Sequence, residues 1–388
     1  MLRHLFKLTW NKKKTHALLI VEIWASFLVL FGLASLIIFN ARNYLEPLGF
    51  AYERVWAINL QNNQDTTDVA EKIQQVVRHL GTYAEVESVT RMGSNFPFAA
   101  SQMSNGVKYN GTHSMMNFYT VDENFARTLD ITPLAGRWYQ SADSVGKHRP
   151  AVINQKAREK LFGEENPLGK ILNNDGENTW KVVGVIGNYK DKAEFMENKP
   201  AMFELLYADD RWNSTLLIKT KPGTDALFEA RLVKDVTAQL KGWSVEVDHL
   251  TESRTNQHNL TLIPVLIFLI ICSFLLVNVA LGLFGILNLN IAKRKDEIGL
   301  RRAMGATERA VKQQFLGEIW VLATLSMLLG LLFTVQFPLL HVFDVASGVY
   351  LLAMVASVVI IYLLVTLCAW YPSRQAARIQ PAVALHEE

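Results

Sequence analysis

Four stretches without a formally charged side chain, residues 23–41, 255–292, 319–343 and 345–372, set the limits on what this chain can become. Each holds enough apolar length to cross the roughly 30 Å of a bilayer's hydrocarbon as a helix. Half of the 388 residues are hydrophobic, and a soluble chain of that length would spread them over two or three domains. Here they are gathered into runs, so four membrane spans are the economical reading. The first run exceeds the core of a signal peptide, and no small-residue cleavage pattern follows Asn40, so it is expected to remain as an anchor. Cys272 and Cys368 both fall inside apolar runs, where they read as buried spacers rather than a disulfide or metal pair.

Positive charge marks the side of a membrane protein that stays in the cytoplasm. Arg3, Lys7, Lys12, Lys13 and Lys14 precede the first run, and Lys293, Arg294, Lys295, Arg301, Arg302, Arg309 and Lys312 separate the second from the third. Arg374 and Arg378 follow the fourth, whereas the connection between the third and fourth carries only Asp344. Both termini are therefore expected in the cytoplasm, with the large segment between the first two spans outside. The net charge of +3 is local to these flanks and implies no nucleic-acid partner. The resulting division is a cytoplasmic segment 1–16, a first transmembrane helix 17–40, an extracytoplasmic domain 41–258, a second helix with its stalk 259–291, a cytoplasmic loop 292–314, helices at 315–341 and 346–371, and a cytoplasmic tail 372–388.

The outer segment mixes α and β patterns. Residues 55–60 alternate as a strand, and Val69, Ile73, Val76, Val77 and Leu80 recur at helical spacing before Gly81. A strand is predicted over 86–90, a loop or hairpins over the Ser-, Asn- and Gly-rich 95–111, a strand over 151–154, a helix over 155–162 and a buried strand over 180–186. The last third repeats the opening grammar, with a strand at 215–220, a helix at 225–240 and a strand at 244–248. Two strand-helix-strand units around an inserted centre predict a split arrangement. The second apolar run, 260–291, has 32 residues and would measure roughly 48 Å as a helix, which exceeds the membrane. No breaker stands in residues 251–259, so the run reads as a rod that begins outside the bilayer, with Pro264 placed to kink it. A tilted span preceded by a loop is the alternative.

Between the second and third runs stands KRKDEIGLRRAMGAT, residues 293–307, in which five of fifteen residues are basic. Glu297 and Arg301 are four apart in the favourable order for a helical ion pair, and Leu300, Ala303 and Met304 share a face. Gly305 is placed to end that helix in a left-handed conformation, and Thr307 to cap the next, with Glu308 in its first turn. A short helix under the membrane with its charged face exposed suits a soluble partner; a solvated loop whose charges only fix orientation is the competing reading. At the far end, Arg374 and Arg378 would share a face of a short helix starting at Pro372 and ending before Pro381, available to a partner or to anionic lipid.

Catalytic signals are thin. The nearest approach to a phosphate-binding loop, residues 163–170, has one residue too many between its glycines, ends in Ile171 and lies in the outer segment; a turn after a helix explains it better. The nine histidines form no HExxH pattern, no serine sits in a GxSxG elbow, and the acidic pairs Glu164–Glu165 and Asp209–Asp210 read as solvated charges. Glu22, near the start of the first span, suits the headgroup zone paired with Lys14 or a neighbouring span, with a proton relay as the minor alternative. Ser326 and Gly330 make one small-xxx-small step in the third span.

RKDEIGLRRAMGAT followed by Phe315, Leu316 and Glu318 resembles the signature of the permease domain shared by FtsX, LolC, LolE and MacB, and residues 371–385 resemble its closing motif. Gly136, Arg137, Trp138 and Asp143, then Asn154, Leu161, Phe162, Pro167, Gly169, Lys170 and residues 182–187, resemble the MacB periplasmic core domain. The resemblance implies a type VII ABC permease of the bacterial inner membrane, with four helices in a 1+3 arrangement and a large mixed α/β domain between the first two. A separate ATPase, carrying ATP and Mg, would move the stalk helices through a coupling site at Arg294, Glu297, Ile298, Gly299, Arg301, Arg302, Gly305 and Ala306, supported by Glu318, Pro372, Arg374 and Arg378. Only about fourteen residues precede the first run, so the nucleotide-binding subunit is expected to be a separate polypeptide, and no cofactor is expected on this chain. The implied partners are a second permease, identical or paralogous, a periplasmic adaptor with an outer-membrane channel, and membrane lipid. Gln375, His386 and Glu22 depart from the family pattern and leave the cargo open. A non-transporting regulator of a periplasmic partner such as a cell-wall hydrolase is the alternative; a channel would need more polar residues along the spans than these offer.

Overall fold

The computed structural model describes residues 13–173 and 179–378, with the side chains of residues 13–16, 141 and 344 left aside. Arg3, Lys7, Lys12, the side chains of Lys13 and Lys14, and the closing motif from Ile379 onward, including Pro381 and His386, lie outside that description. The chain divides into two compact units, residues 42–261 and the remainder.

Helix α1, Lys13–Tyr44, leads into the first unit. That unit contains β1 (Val55–Gln61), α2 (Val69–Leu80), β2 (Val86–Met92), β3 (Ser104–Tyr109), β4 (Thr112–Val121), the single turn α3 (Phe125–Thr128), β5 (Pro133–Gly136), β6 (Arg149–Asn154), α4 (Gln155–Phe162), β7 (Ile171–Leu172), β8 (Trp180–Ile186), β9 (Ala201–Leu205), β10 (Thr215–Thr220), α5 (Ala226–Gln239) and β11 (Ser244–His249). All eleven strands join one sheet, ordered β11-β1-β10-β2-β4-β9-β6-β8-β5, with β3 on β4 and β7 on β8. Its first four strands are mutually antiparallel and interleave the opening unit β1-α2-β2 with the closing unit β10-α5-β11, the split arrangement of a ferredoxin-like sheet. The insert between β2 and β10 extends the same sheet instead of forming a body of its own; β4 and β9 run parallel, as do β6 and β8.

Both faces of the interleaved half are covered, which is why its strands read as nearly continuous apolar runs. Trp56, Ile58, Leu60, Leu216 and Ile218 point toward Ile73, Val76, Phe228, Leu232 and Val236 of α2 and α5. Val55, Ala57 and Leu217 face the opposite way, into an aromatic core with Phe125, Tyr119, Tyr189 and Phe203. Residues 95–111 supply one hairpin strand from Ser104, while β4, β5, β7 and β9 go beyond the strands predicted from pattern. In the last of these, Glu204 is buried yet accepts hydrogen bonds from Trp180 Nε1 at 3.0 Å and Thr120 Oγ1 at 3.1 Å. Asn154 caps α4 through Ala157 N at 2.9 Å and also accepts from Ala201 N at 2.9 Å, so one buried amide sets both the helix start and the β6–β9 approach.

Helix α6, Leu250–Lys293, begins in the first unit and from Leu262 belongs to the second, which also holds α7, Lys295–Ala303; α8, Glu308–Thr334; the turn α9, Gln336–Leu339; and α10, Ser347–Ala377. Among the described residues, four helices are long and apolar enough to span a bilayer. Helix α6 is continuous over 44 residues, or about 66 Å, and carries Pro264 inside it, so no loop precedes its apolar run. Leu19, Ile23, Phe27 and Leu30 of α1 form a stripe against Val279 and Leu283 of α6 and Ile319, Leu322 and Met327 of α8. Gly330 completes the small-residue step by giving its surface to Phe27: a Cβ there would lie 2.3 Å from the ring. Glu22 faces the neighbouring-span glycine Gly282, where a Cβ would lie 2.9 Å from its carboxylate oxygen. Helices α8 and α10 are tied by Trp320 Nε1 donating to Thr366 Oγ1 at 3.0 Å and by the hydroxyls of Thr324 and Tyr362 at 2.7 Å. The expected short helix from Pro372 does not exist as a separate element. Pro372 is buried inside α10, and burial of Ser373, Ala376 and Ala377 beside it carries the helix through the hydrogen bond that proline cannot donate.

Candidate functional site

The loop between the second and third spans is folded, and its geometry follows from a few local rules. Arg294 leaves helical geometry at φ −116° and ψ 17°, separating α6 from α7, and its carbonyl accepts from Ile298 N at 3.0 Å. Gly305 takes φ +95°, the left-handed conformation expected after a helix end. Thr307 Oγ1 then accepts from Ala310 N at 3.2 Å to start α8.

Charge pairs strap α7 to α8. Arg294 Nη1 donates to both carboxylate oxygens of Glu318, at 3.0 and 3.1 Å, while its Nε donates to Glu297 at 3.1 Å. The guanidinium also lies 5.6 Å from the centre of the Phe315 ring. Arg301 pairs with Glu297 at 2.5 Å and donates to Gln314 Oε1 at 2.7 Å; Gln314 in turn donates to Glu318 at 3.3 Å, which closes a ring of polar contacts. Arg302 reaches the Ala306 carbonyl at 3.4 Å and Glu308 at 3.5 Å. Beneath the ring, Ile298 and Gly299 are buried, and Ile298 shares a core with Val311, Phe315, Ala376 and Ala377.

The arginines are paired within the fold to different degrees: Arg294 and Arg302 are largely covered, with side chains 15% and 22% exposed, whereas Arg301 stays 43% exposed beside Glu297. The exposed positions of α7 comprise the charged Asp296, Glu297 and, in part, Arg301 together with the apolar Leu300, Ala303 and Met304, with Met304 73% exposed. Glu318, reached three turns into α8, holds the loop from inside. Arg374 and Arg378 are exposed at the end of α10, and Lys312 lies 3.1 Å over the Trp370 ring.

A second cluster, absent from the sequence reading, holds the start of α6 within the other unit. Glu194 accepts from Arg254 Nε at 2.7 Å and approaches His258 Nε2 at 2.6 Å. Arg254 also stacks 4.9 Å from the centre of Tyr52. Burial works to raise the pKa of the Glu194 carboxyl, but bonds from Arg254 and His258 outweigh it and hold the group below its ordinary range. Next to it, the buried Lys190 donates to the carbonyls of Asn43 and Glu194, at 2.6 and 2.5 Å. The readable signal was the i, i+4 spacing of Arg254 and His258 on the polar opening turns of an otherwise apolar helix.

The remaining motif residues are architectural. Arg137 clamps Asp143 through two bonds of 2.6 Å, and Gly136, at φ +70°, brings β5 so close to β8 that a Cβ would sit 2.3 Å from the Val183 carbonyl. The glycine-rich stretch 163–170 is a turn in which Lys170 pairs with Glu165 at 2.6 Å.

Two family profiles match the chain: the FtsX-like permease C-terminal profile over residues 263–381 and the MacB-like periplasmic core domain profile over residues 29–234. The macrolide export ATP-binding/permease protein MacB of Hahella chejuensis is 27% identical over 302 residues, which cover 74% of this chain and 45% of that protein. The Bacillus subtilis protein named uncharacterized ABC transporter permease YvrN is 27% identical over 303 residues, 70% of each chain. The solved periplasmic region of MacB from Actinobacillus actinomycetemcomitans aligns with 56% of this chain and 98% of its own, at 14% identity and a TM-score of 0.40. The chain thus spans somewhat under half the length of the Hahella relative.

Proposed function

The chain belongs to the family of ABC transporter permeases that join a MacB-like periplasmic core domain to an FtsX-like C-terminal domain, and on that premise we propose that it carries ATPase-driven motion across the bacterial inner membrane to the domain between its first two spans. The observation that carries this reading is α7: a short helix strapped to α8 by Arg294 and Glu318, presenting Leu300, Ala303 and Met304 outward, at the end of a helix about 66 Å long. A strapped helix transmits force, since a push on its outer face must move α8 and the end of α6 with it.

The ATPase, with its ATP and Mg, lies outside these residues in this proposal and docks on the α7 face, which is cytoplasmic together with both termini; the domain 42–261 is periplasmic. A second permease, identical or paralogous, pairs with this one. The bare surface of α6 supports that pairing: 6% of its most apolar window is covered by the rest of the chain, against 39%, 44% and 28% for the other three spans. The cargo class is that of export relatives, a macrolide-like or peptide-like compound, passed through an adaptor and an outer-membrane channel.

Leu300→Glu with Met304→Glu tests the docking face without touching the strap. The doubly substituted permease should insert and fold as before, yet fail to recover its ATPase in co-purification and lose cargo-stimulated ATP hydrolysis by tenfold or more. Full activity of that variant would remove α7 as the coupling point. Recovery of a cell-wall hydrolase in place of an adaptor would redirect the reading toward regulation.

A further inference from the structure

Within the membrane unit, a cavity of about 640 Å³ opens among the ends of α1, α8, α9 and α10. Its floor is aromatic: the rings of Phe31, Phe337 and Tyr350 meet with centroids 5.5, 5.7 and 6.1 Å apart. None of its lining residues carries a formal charge. Gly32 lines it with room to spare, since a Cβ there would meet nothing within 4 Å. At the rim, Phe343 is 84% exposed and sits at φ +58°, a backbone conformation that bulky residues rarely adopt.

Among the polar side chains that line the cavity, Thr334 Oγ1 donates to the Leu331 carbonyl at 3.5 Å, Gln336 Nε2 to the Leu332 carbonyl at 3.2 Å and the Tyr350 hydroxyl to the Val342 carbonyl at 2.8 Å. Ser35 lines the cavity, is 9% exposed, and its Oγ has no partner. A buried hydroxyl without a partner is destabilising, the more so where water cannot reach it.

We propose that this cavity retains one acyl chain of a bilayer phospholipid, with Ser35 donating to the ester carbonyl at the head of that chain. A void of this size lined by aromatic rings is unfavourable when empty, and the surrounding solvent is lipid. The absence of charge in the lining excludes an ionic cargo group. A helix from a second copy is the competing occupant, and a cross-link between two copies at this site would report it. A phospholipid supplies both the apolar length and the free acceptor.

The test uses the full-length protein in vesicles of phosphatidylethanolamine and phosphatidylglycerol, doped with a phospholipid bearing a diazirine on its acyl chain. Irradiation should label peptides covering residues 28–39 and 333–350 at least fivefold above the exposed surface of α6. After detergent exchange, native mass spectrometry should find one retained phospholipid per chain. Gly32→Trp, which fills the space, should lower retention about tenfold; Ser35→Ala should lower it severalfold, and Gly32→Ala should leave it unchanged. Should Gly32→Trp fail to fold, the Ser35→Ala comparison decides alone. Even labelling over all spans, retention indifferent to Ser35→Ala, or efficient disulfide cross-linking of two Gly32→Cys copies through this site would overturn the proposal.

Discussion

Removing the Arg294 guanidinium probes the strap that the coupling reading depends on. Arg294 and Glu318 have side chains 15% and 19% exposed, so their two contacts at 3.0 and 3.1 Å are largely shielded from water. Charge-assisted hydrogen bonds contribute about 1.5–3 kcal/mol, and leaving a half-buried carboxylate unpaired adds a desolvation penalty. The third contact, to a Glu297 that is 43% exposed, adds less than about 1 kcal/mol. Arg294→Ala should therefore cost α7 about 2–3 kcal/mol of local stability, or roughly 30- to 160-fold in its opening equilibrium. Amide hydrogen exchange reads that equilibrium directly: protection over residues 296–304 should fall by that factor, while the interior of α10 keeps its own. A double-mutant cycle with Glu318→Ala should return a coupling of about 2 kcal/mol. Protection reduced less than threefold, or single effects that simply add, would refute the strap.

Gly330→Ala should destabilise the α1–α8 contact by about 1–3 kcal/mol, because its methyl meets the Phe27 ring at 2.3 Å, and Phe27→Leu should restore part of the loss; denaturation titrations in detergent measure both. Glu194 has a folded-state pKa below its unfolded value, so the stability it contributes is present above the ordinary carboxylate range, near pH 4.3, and is lost as pH falls through the depressed value. Thermal unfolding of wild type against Glu194→Gln should show a gap at neutral pH that closes on acidification. Asp122 behaves in the opposite sense: burial raises its carboxyl to about 6 against hydrogen bonds from Thr90 and from the Arg91 amide, so its contribution is greatest below about pH 4 and declines as pH rises through 6. A carboxyl carbon titration by NMR should place the Asp122 midpoint near 6.

What the sequence revealed and what it concealed divide along the range of the interactions involved. The spans were legible because the bilayer penalises charge at every position, leaving long unbroken runs. Helices α2, α4 and α5 and strands β1, β2, β6, β8, β10 and β11 were legible because period and flanking caps lie close in sequence. Strand β4 escaped, since its second half is buried on both faces and shows no alternation, and β9 escaped because Glu204 interrupts its apolar pattern. That carboxylate is tolerated by partners at Thr120, Arg149 and Trp180, none of them near it in the chain.

The same division explains the loop between the second and third spans. Its caps at Gly305 and Thr307 and the Glu297–Arg301 pair are contacts between near neighbours, and the sequence places them correctly. The direction in which its charges face is set by Gln314 and Glu318, one and two dozen residues from the arginines they bind. Counting charges in the segment therefore identifies one exposed surface, that of Lys293, Glu297 and Arg301, but misses a second beside it, the apolar Leu300 and Met304. An electrostatic dock would weaken steeply with salt, over a Debye length of about 8 Å at physiological ionic strength. A dock on Leu300, Ala303 and Met304 would not, so retention of the ATPase in about 0.5 M salt separates the two surfaces without any substitution, and loss of the complex there would return the arginines to the contact.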